Sequence, residues 1–153
     1  MTATDATAGP DAARLARTQA TLRQASLGAL VMLIAQFGLG VGVNLYVTLP
    51  AAGKIGDVFS SGPALALHGV LGLLLIVSSV ALLVRAIAAR NRPVIVAAVV
   101  GLAAILTAAG EGFSFVRNGT NAASLGMALA TGVAMLCYAV TLFLVRPPAP
   151  SGR

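Results

Sequence analysis

Apolar residues fall into four long runs along the chain, and short polar segments separate one run from the next. The runs extend over residues 26–48, 64–84, 94–115 and 122–145. Each has about the 20 residues that a helix needs to cross ~30 Å of hydrocarbon. Because backbone groups find no water inside a bilayer, each run must be helical. The pattern predicts an all-α integral membrane four-helix bundle.

The segments that flank this bundle are short and polar. Residues 1–25 are rich in Ala and Thr and predict a flexible tail that becomes a basic juxtamembrane segment. Residues 146–153 contain three prolines, which stop the last helix and favour a short extended tail. The first apolar run exceeds the roughly 7–15 residues of a signal-peptide core, so we expect an uncleaved span. One membrane domain, 26–145, therefore lies between two tails.

Composition supports a membrane environment over an aqueous one. Hydrophobic residues make up 58% of the chain and charged residues 9%, whereas soluble domains carry about 25% charge. A soluble protein of this size could not hide so much apolar surface from water. The net charge of +6 is carried by residues at the ends of the apolar runs. This placement indicates contact with a membrane surface and excludes nucleic acid as the expected partner.

The distribution of Lys and Arg predicts the orientation of the bundle. Lys54 and Arg117 are the basic residues of one side. The other side has the two tails and the turn between the second and third runs, with Arg14, Arg17, Arg23, Arg85, Arg90, Arg92, Arg146 and Arg153. Since cytoplasmic segments are enriched in positive charge, both termini are predicted to be cytoplasmic. The loop over 50–63 and the tight turn at Asn118-Gly119 then face outward.

The two halves of the chain show a weak internal repeat. The outer end of the first span, Gly40–Tyr46, resembles that of the third, Gly110–Val116, in its spaced glycines. Each segment precedes a returning span, with His68 and Met127 at similar depths. This pattern indicates two tandem helical hairpins, and binding sites are common at the interface of such repeats.

Small and polar residues within the spans predict helix-packing seams. Gln36, Gly40 and Asn44 lie at i, i+4 and i+8, which places two amides and a gap on one helix face. The fourth span has alternating spacings of four and three at Ser124, Ala128, Thr131, Met135 and Tyr138, the rhythm of a left-handed helix pair. The single cysteine, Cys137, is expected to pack as a small hydrophobic residue.

Several polar residues fall in one layer near the outer boundary. His68 is the only histidine, and Glu111 is the only acidic residue inside a span. Ionisable groups in a span usually face the protein interior and often mark function. The candidate polar site consists of Asn44, His68, Glu111, Asn121 and Ser124. Either His68 and Glu111 pair to lock two helices, or the layer is functional, as a proton relay or with His68 and Met127 ligating haem iron.

The run His68–Leu75, which follows a glycine-rich span, resembles the haem-bearing helices of haem A synthase and related small b-type cytochromes. The whole chain is similar to four-span membrane proteins of actinobacteria, which implies the bacterial cytoplasmic membrane. In the synthase family, paired histidines on two helices carry the haem. This chain has only His68, with Met127 or Asn121 where a partner is expected. The resemblance therefore implies haem b only through His/Met ligation, five-coordination or a dimer.

Three functions follow from these observations. The favoured one is a nonenzymatic accessory or assembly protein that packs in the bilayer against a membrane-protein partner or a second copy. The alternatives are a haem-binding redox protein and a proton-linked transporter of small molecules. The sequence shows no nucleophile with a base, carboxylate pair, nucleotide-binding loop or metal-ligand cluster. We therefore expect neither catalytic residues nor a metal site.

Overall fold

The computed structural model describes residues 9–47 and 62–145, which form four helices in chain order. These are α1 (Pro10–Tyr46), α2 (Pro63–Ala88), α3 (Arg92–Asn118) and α4 (Asn121–Leu144). The predicted all-α four-helix architecture is confirmed. Residues 1–8, 48–61 and 146–153 lie outside the described residues. These ranges include most of the predicted outer loop with Lys54, and the C-terminal Arg146 and Arg153.

Local sequence signals set the helix ends. The α2 helix begins with a proline, whose missing N–H is not needed in a first turn. The Asn91 side chain accepts a hydrogen bond from the Val94 amide at the start of α3, and Thr120 caps α4 in the same way through Ala123. Between them, Gly119 adopts a left-handed φ of 63° that ends α3. The predicted tight turn at Asn118-Gly119 is therefore present.

The first helix begins much earlier than the apolar run that predicts it. Residues 10–25, predicted as part of a flexible tail, are helical and continuous with the span. Alanine, arginine and leucine have high helix propensity, and Pro10 occupies the first helical position, where proline is favoured. A helix of 37 residues is about 55 Å long at 1.5 Å per residue. It therefore extends well beyond the ~30 Å hydrocarbon core.

The helices alternate in direction and form a closed ring. Each helix packs against its neighbours in the chain, and α4 packs back against α1, while the backbones of the diagonal pairs stay apart. The most extensive contact is between α3 and α4. We call the end where α1 begins, α2 joins α3 and α4 finishes the basic end; the other is the opposite end. The bundle thus consists of two hairpins, α1–α2 and α3–α4, packed side by side.

The surface of the bundle is that of a membrane protein. All four helices are long and apolar enough to cross a membrane. Many large apolar side chains point outward, among them Leu73, Leu136 and Phe143, which are 64%, 68% and 84% exposed. In water such a surface would aggregate, whereas lipid tails solvate it. The chain is therefore a small membrane protein.

The basic half of the bundle contains its packed core. Its buried apolar side chains come from all four helices: Leu22, Ala29, Leu33, Leu75, Leu82, Ala86, Val94, Ala98, Ala104, Ile105, Ala134, Tyr138 and Val145. Four buried hydroxyl groups, on Ser26, Ser79, Thr131 and Thr141, each donate to the carbonyl four residues earlier in the same helix. These four groups are satisfied within their own helices and need no partner on a neighbouring helix. The opposite half is packed more loosely, with Val43, Leu65 and Ala123 as its buried apolar residues.

Candidate functional site

A cavity of about 360 Å³ lies between the two hairpins in the opposite half of the bundle. Its floor is formed by Leu33, Leu75 and Ile105, which belong to the packed core of the basic half. All four helices line it, mainly with Leu, Val, Ala, Phe and Gly residues. Among its described lining residues there is no Lys, Arg, Asp or Glu, and His68 is the one titratable side chain. The site is an apolar space with a single ionisable group.

His68 is held against α1 by Gln36. The side-chain Nε2 of Gln36 donates to the His68 carbonyl oxygen at 2.9 Å and lies 3.3 Å from the imidazole Nε2. Because a carbonyl oxygen can only accept, the first bond fixes the amide with its NH₂ group toward His68. The imidazole Nε2 must then accept the second amide hydrogen. A neutral His68 therefore carries its proton on Nδ1.

Two polar atoms of this pair are buried without a hydrogen-bond partner in the described structure. They are Oε1 of Gln36 and Nδ1 of His68, each with less than 1 Å² of accessible surface. Leaving such an atom unsatisfied costs about 1–3 kcal/mol, and most buried polar atoms in folded proteins have a partner. The pair thus leaves one acceptor and one donor without a partner, both buried next to the cavity.

Two glycines make room for the Gln36–His68 contact. A Cβ atom at Gly40 would lie 3.0 Å from Cε1 of His68, and one at Gly72 would lie 3.2 Å from Nε2 of Gln36. On each helix the glycine is four residues after the polar side chain, so the two pairs face each other across the antiparallel contact. The predicted seam at Gln36 and Gly40 is confirmed as a contact between helices, and it includes His68.

The structure brings part of the predicted polar site together. Asn44 and Ser124 line the cavity with His68, and so does Met127, the predicted second haem ligand. Asn121 is the first residue of α4, is exposed and is not among the lining residues. The cavity therefore collects three of the five predicted polar residues and the methionine.

Glu111 lies apart from His68. Its side chain rests on the α4 backbone, where a Cβ atom at Gly126 would be 3.0 Å from Cδ of Glu111. It is not among the residues that line the cavity. The imidazole Nε2 meets Gln36 and Nδ1 has no partner, so His68 and Glu111 do not form the predicted locking pair. The two residues match in depth, but Glu111 points toward α4 instead of α2.

The second hairpin partly repeats the packing of the first. Gly40 on α1 lies against the imidazole of His68, and Gly112 on α3 lies against the side chain of Met127. A Cβ atom at Gly112 would be 3.9 Å from the Met127 sulfur. Both side chains belong to the returning helix of their hairpin and line the same cavity. The sequence repeat aligns Gly40 with Gly110 and Gly42 with Gly112, so the contact in the second hairpin is offset by two residues from the one in the first.

Haem ligation does not fit the observed position of His68. An axial ligand needs a ring nitrogen that can face the iron. The Nε2 atom faces the Gln36 amide, and Nδ1 is buried beside Gly40. Among the described residues, no group of three or more His, Cys, Asp or Glu side chains could hold a metal ion. Apart from His68, the described lining is uncharged and mostly apolar.

Sequence reasoning missed two features of the site. The first is Gln36 as the partner of His68; the matching polar-x-x-x-Gly spacing on α1 and α2 was the signal that could have found it. The second is the aromatic lining by Phe37, Phe113 and Phe115. Apolar residues in a span give no sign of whether they face lipid or a cavity, so no sequence signal marked them.

Comparisons with protein-family models, with curated proteins and with solved structures found no match. The function of the chain is therefore argued from its own residues. The most informative are the Gln36–His68 pair and the apolar cavity beside it.

Proposed function

We propose that this chain is a nonenzymatic membrane protein that binds a small molecule in the cavity between its two hairpins, as an accessory component of a larger membrane process. The observation that carries the proposal is the cavity itself. Ligand sites are typically apolar clefts of roughly 300–1,000 Å³ with a few convergent polar groups. At about 360 Å³, with Gln36, Asn44, His68 and Ser124 in its wall, this cavity has those properties.

The packed basic half favours binding over transport. Leu33, Leu75 and Ile105 close the floor of the cavity, and Leu82, Ala98 and Tyr138 fill the bundle beyond it. A proton-linked transporter would need a second state in which this core opens to the other side. All of the core side chains named here are apolar apart from the Tyr138 hydroxyl, so opening the core would expose an unfavourable surface to water.

Haem binding has less support than binding of an uncharged molecule. His68 and Met127 do line the same cavity. However, iron ligation by His68 would first have to break its contact with Gln36 and turn the ring away from Gly40. An organic molecule can occupy the apolar space without this rearrangement, and a side chain of the pair has to turn only if it is to hydrogen-bond the molecule.

The proposed location is the bacterial cytoplasmic membrane, with both termini in the cytoplasm. An even number of spans brings the two ends of the bundle domain to one side, and the arginines of that side favour the cytoplasm. In a Cys137→Ala background, Ala122→Cys should react with a membrane-impermeant maleimide in intact cells, whereas Ala88→Cys should react only after permeabilisation. Both alanines are exposed, at opposite ends of the bundle. The reverse labelling pattern would refute this orientation.

Filling the cavity should abolish binding. Ala108 of α3 lines the cavity, and Ala103 on the same helix is exposed and lies outside it. We expect at least one of three two-ring probes (1-naphthol, naphthalene and 1-naphthoate) to raise the thermal midpoint of the detergent-purified protein. Ala108→Phe should lose this shift because phenylalanine occupies the space, and Ala103→Phe should keep it. The chain has no tryptophan, so far-UV circular dichroism is a suitable measure of unfolding.

The outcome that contradicts the proposal is also specific. If none of the three probes shifts the midpoint of the wild type, or if Ala108→Phe and Ala103→Phe respond alike, the cavity is not a binding site. Matched detergent concentrations are needed, since the probes also partition into micelles.

A further inference from the structure

We infer that the ligand of this cavity is an uncharged, lipophilic molecule that carries a hydroxyl group and enters from the bilayer. The inference rests on the proposed binding function and adds the chemical class of the ligand. Three features carry it: the lack of charge in the described lining, the apolar rim, and the two buried atoms of the Gln36–His68 pair that have no hydrogen-bond partner.

The lining excludes charged ligands. A charge that leaves water for an apolar site needs a paired charge or several hydrogen bonds. No acidic or basic side chain other than His68 is among the described lining residues. Glu111, the acidic residue of the predicted polar layer, packs its carboxyl group against Gly126 of α4 and is not among the residues that line the cavity. An anionic or cationic molecule would therefore lack a partner.

The rim of the cavity lies on the lipid-facing surface. Phe37, Val41 and Leu45 form a row along α1 with i, i+4 spacing, and they are 42%, 43% and 65% exposed. Leu73 of α2 and Phe113 of α3 also line the cavity and are 64% and 51% exposed. All five are apolar and occupy faces that contact hydrocarbon in a membrane. A molecule dissolved in the bilayer therefore reaches the cavity without crossing a polar surface.

The polar pair selects for a hydroxyl. The Oε1 atom of Gln36 can only accept a hydrogen bond, and the protonated Nδ1 of His68 can only donate one. A ligand hydroxyl both donates and accepts, so it can satisfy Oε1 or Nδ1 once the side chain concerned turns from its buried position toward the cavity. A ketone or ether oxygen could serve Nδ1 alone, and an ammonium group would bring a charge.

The volume sets an upper limit on size. A dry cavity of about 150 Å³ is enough to hold benzene. The present cavity, at about 360 Å³, has room for two fused rings or a short branched chain. A phenol or a short isoprenoid alcohol has the required combination of size, apolarity and hydroxyl group.

The test compares three probes of one shape on the wild-type protein in detergent. We expect 1-naphthol to bind about tenfold more tightly than naphthalene, because it gains one net hydrogen bond, and 1-naphthoate not to bind. The advantage of 1-naphthol over naphthalene should disappear in Gln36→Leu. If Gln36→Leu does not fold, His68→Phe is the substitute variant, and the same loss is expected.

The outcomes separate the two proposals. Equal binding of naphthalene and 1-naphthol, or tighter binding of 1-naphthoate, would overturn the hydroxyl inference but would retain the binding function, provided that Ala108→Phe abolishes it. Absence of binding by all three probes would remove the binding function as well.

Discussion

Replacing Gly101 by leucine is expected to lower the free energy of unfolding by about 3 kcal/mol, the upper part of the range for overpacked cores. Gly101 is buried in the contact between α3 and α4. A Cβ atom there would lie 3.2 Å from the ring of Tyr138 and 3.3 Å from Cβ of Cys137. Since Tyr138 is fully buried, its ring has no free space to enter, and the two helices must separate.

Gly110 provides a matched control on the same helix. It is exposed, and no heavy atom lies within 4 Å of its Cβ position. Gly110→Leu gains the same helix propensity, roughly 1 kcal/mol, without a clash, so its stability should equal or exceed that of the wild type. Detergent unfolding can be followed by near-UV circular dichroism, because Tyr138 is the buried one of the two tyrosines. Equal stability of the two variants would show that Gly101 is not a close-contact position.

The number and character of the helices could be predicted from hydropathy, because lipid imposes a simple rule on every residue of a span. The ends could not be predicted equally well. Residues 10–25 are helical because their helix propensity is high and they continue the span. Hydropathy did not predict this helix because the segment is polar. At the α3–α4 turn the predicted and observed helix ends agree more closely. Asn118-Gly119 predicts a turn because glycine adopts the left-handed φ of such a turn without strain.

Counting along the spans predicts how deep each polar residue lies in the bundle, but it does not predict which neighbouring helix its side chain faces. His68 and Glu111 lie in one layer, as counting along the spans predicts, but rotation about the α3 axis turns Glu111 onto Gly126. That rotation depends on how α3 packs against α4, which no single span specifies. Gln36 was predicted as a packing residue and is one. Its second role, fixing the proton of His68 on Nδ1, depends on a contact between two helices that only the assembled bundle shows.

Gly40→Leu is the second substitution with a large expected effect, a loss of about 2–3 kcal/mol in the free energy of unfolding together with loss of 1-naphthol binding. The leucine side chain would take the space of the imidazole, whose Cε1 is 3.0 Å from the Cβ position of residue 40. The ring must leave, and its Nε2 contact with Gln36 is lost. Gly38→Leu is the control, since no heavy atom lies within 4 Å of its Cβ position.

A double variant distinguishes a local clash from a general effect on α1. His68→Ala alone should cost little, because a hydrogen bond between helices in a membrane is worth about 0.6 kcal/mol on average. In Gly40→Leu/His68→Ala the missing ring makes room for leucine, so the double variant should unfold close to His68→Ala rather than at the sum of the two losses. If the two losses in the free energy of unfolding add, the effect of Gly40→Leu does not come from a clash with the imidazole. With the ring gone, 1-naphthol should bind the double variant no better than naphthalene, because stability can return without the imidazole and recognition of the hydroxyl cannot.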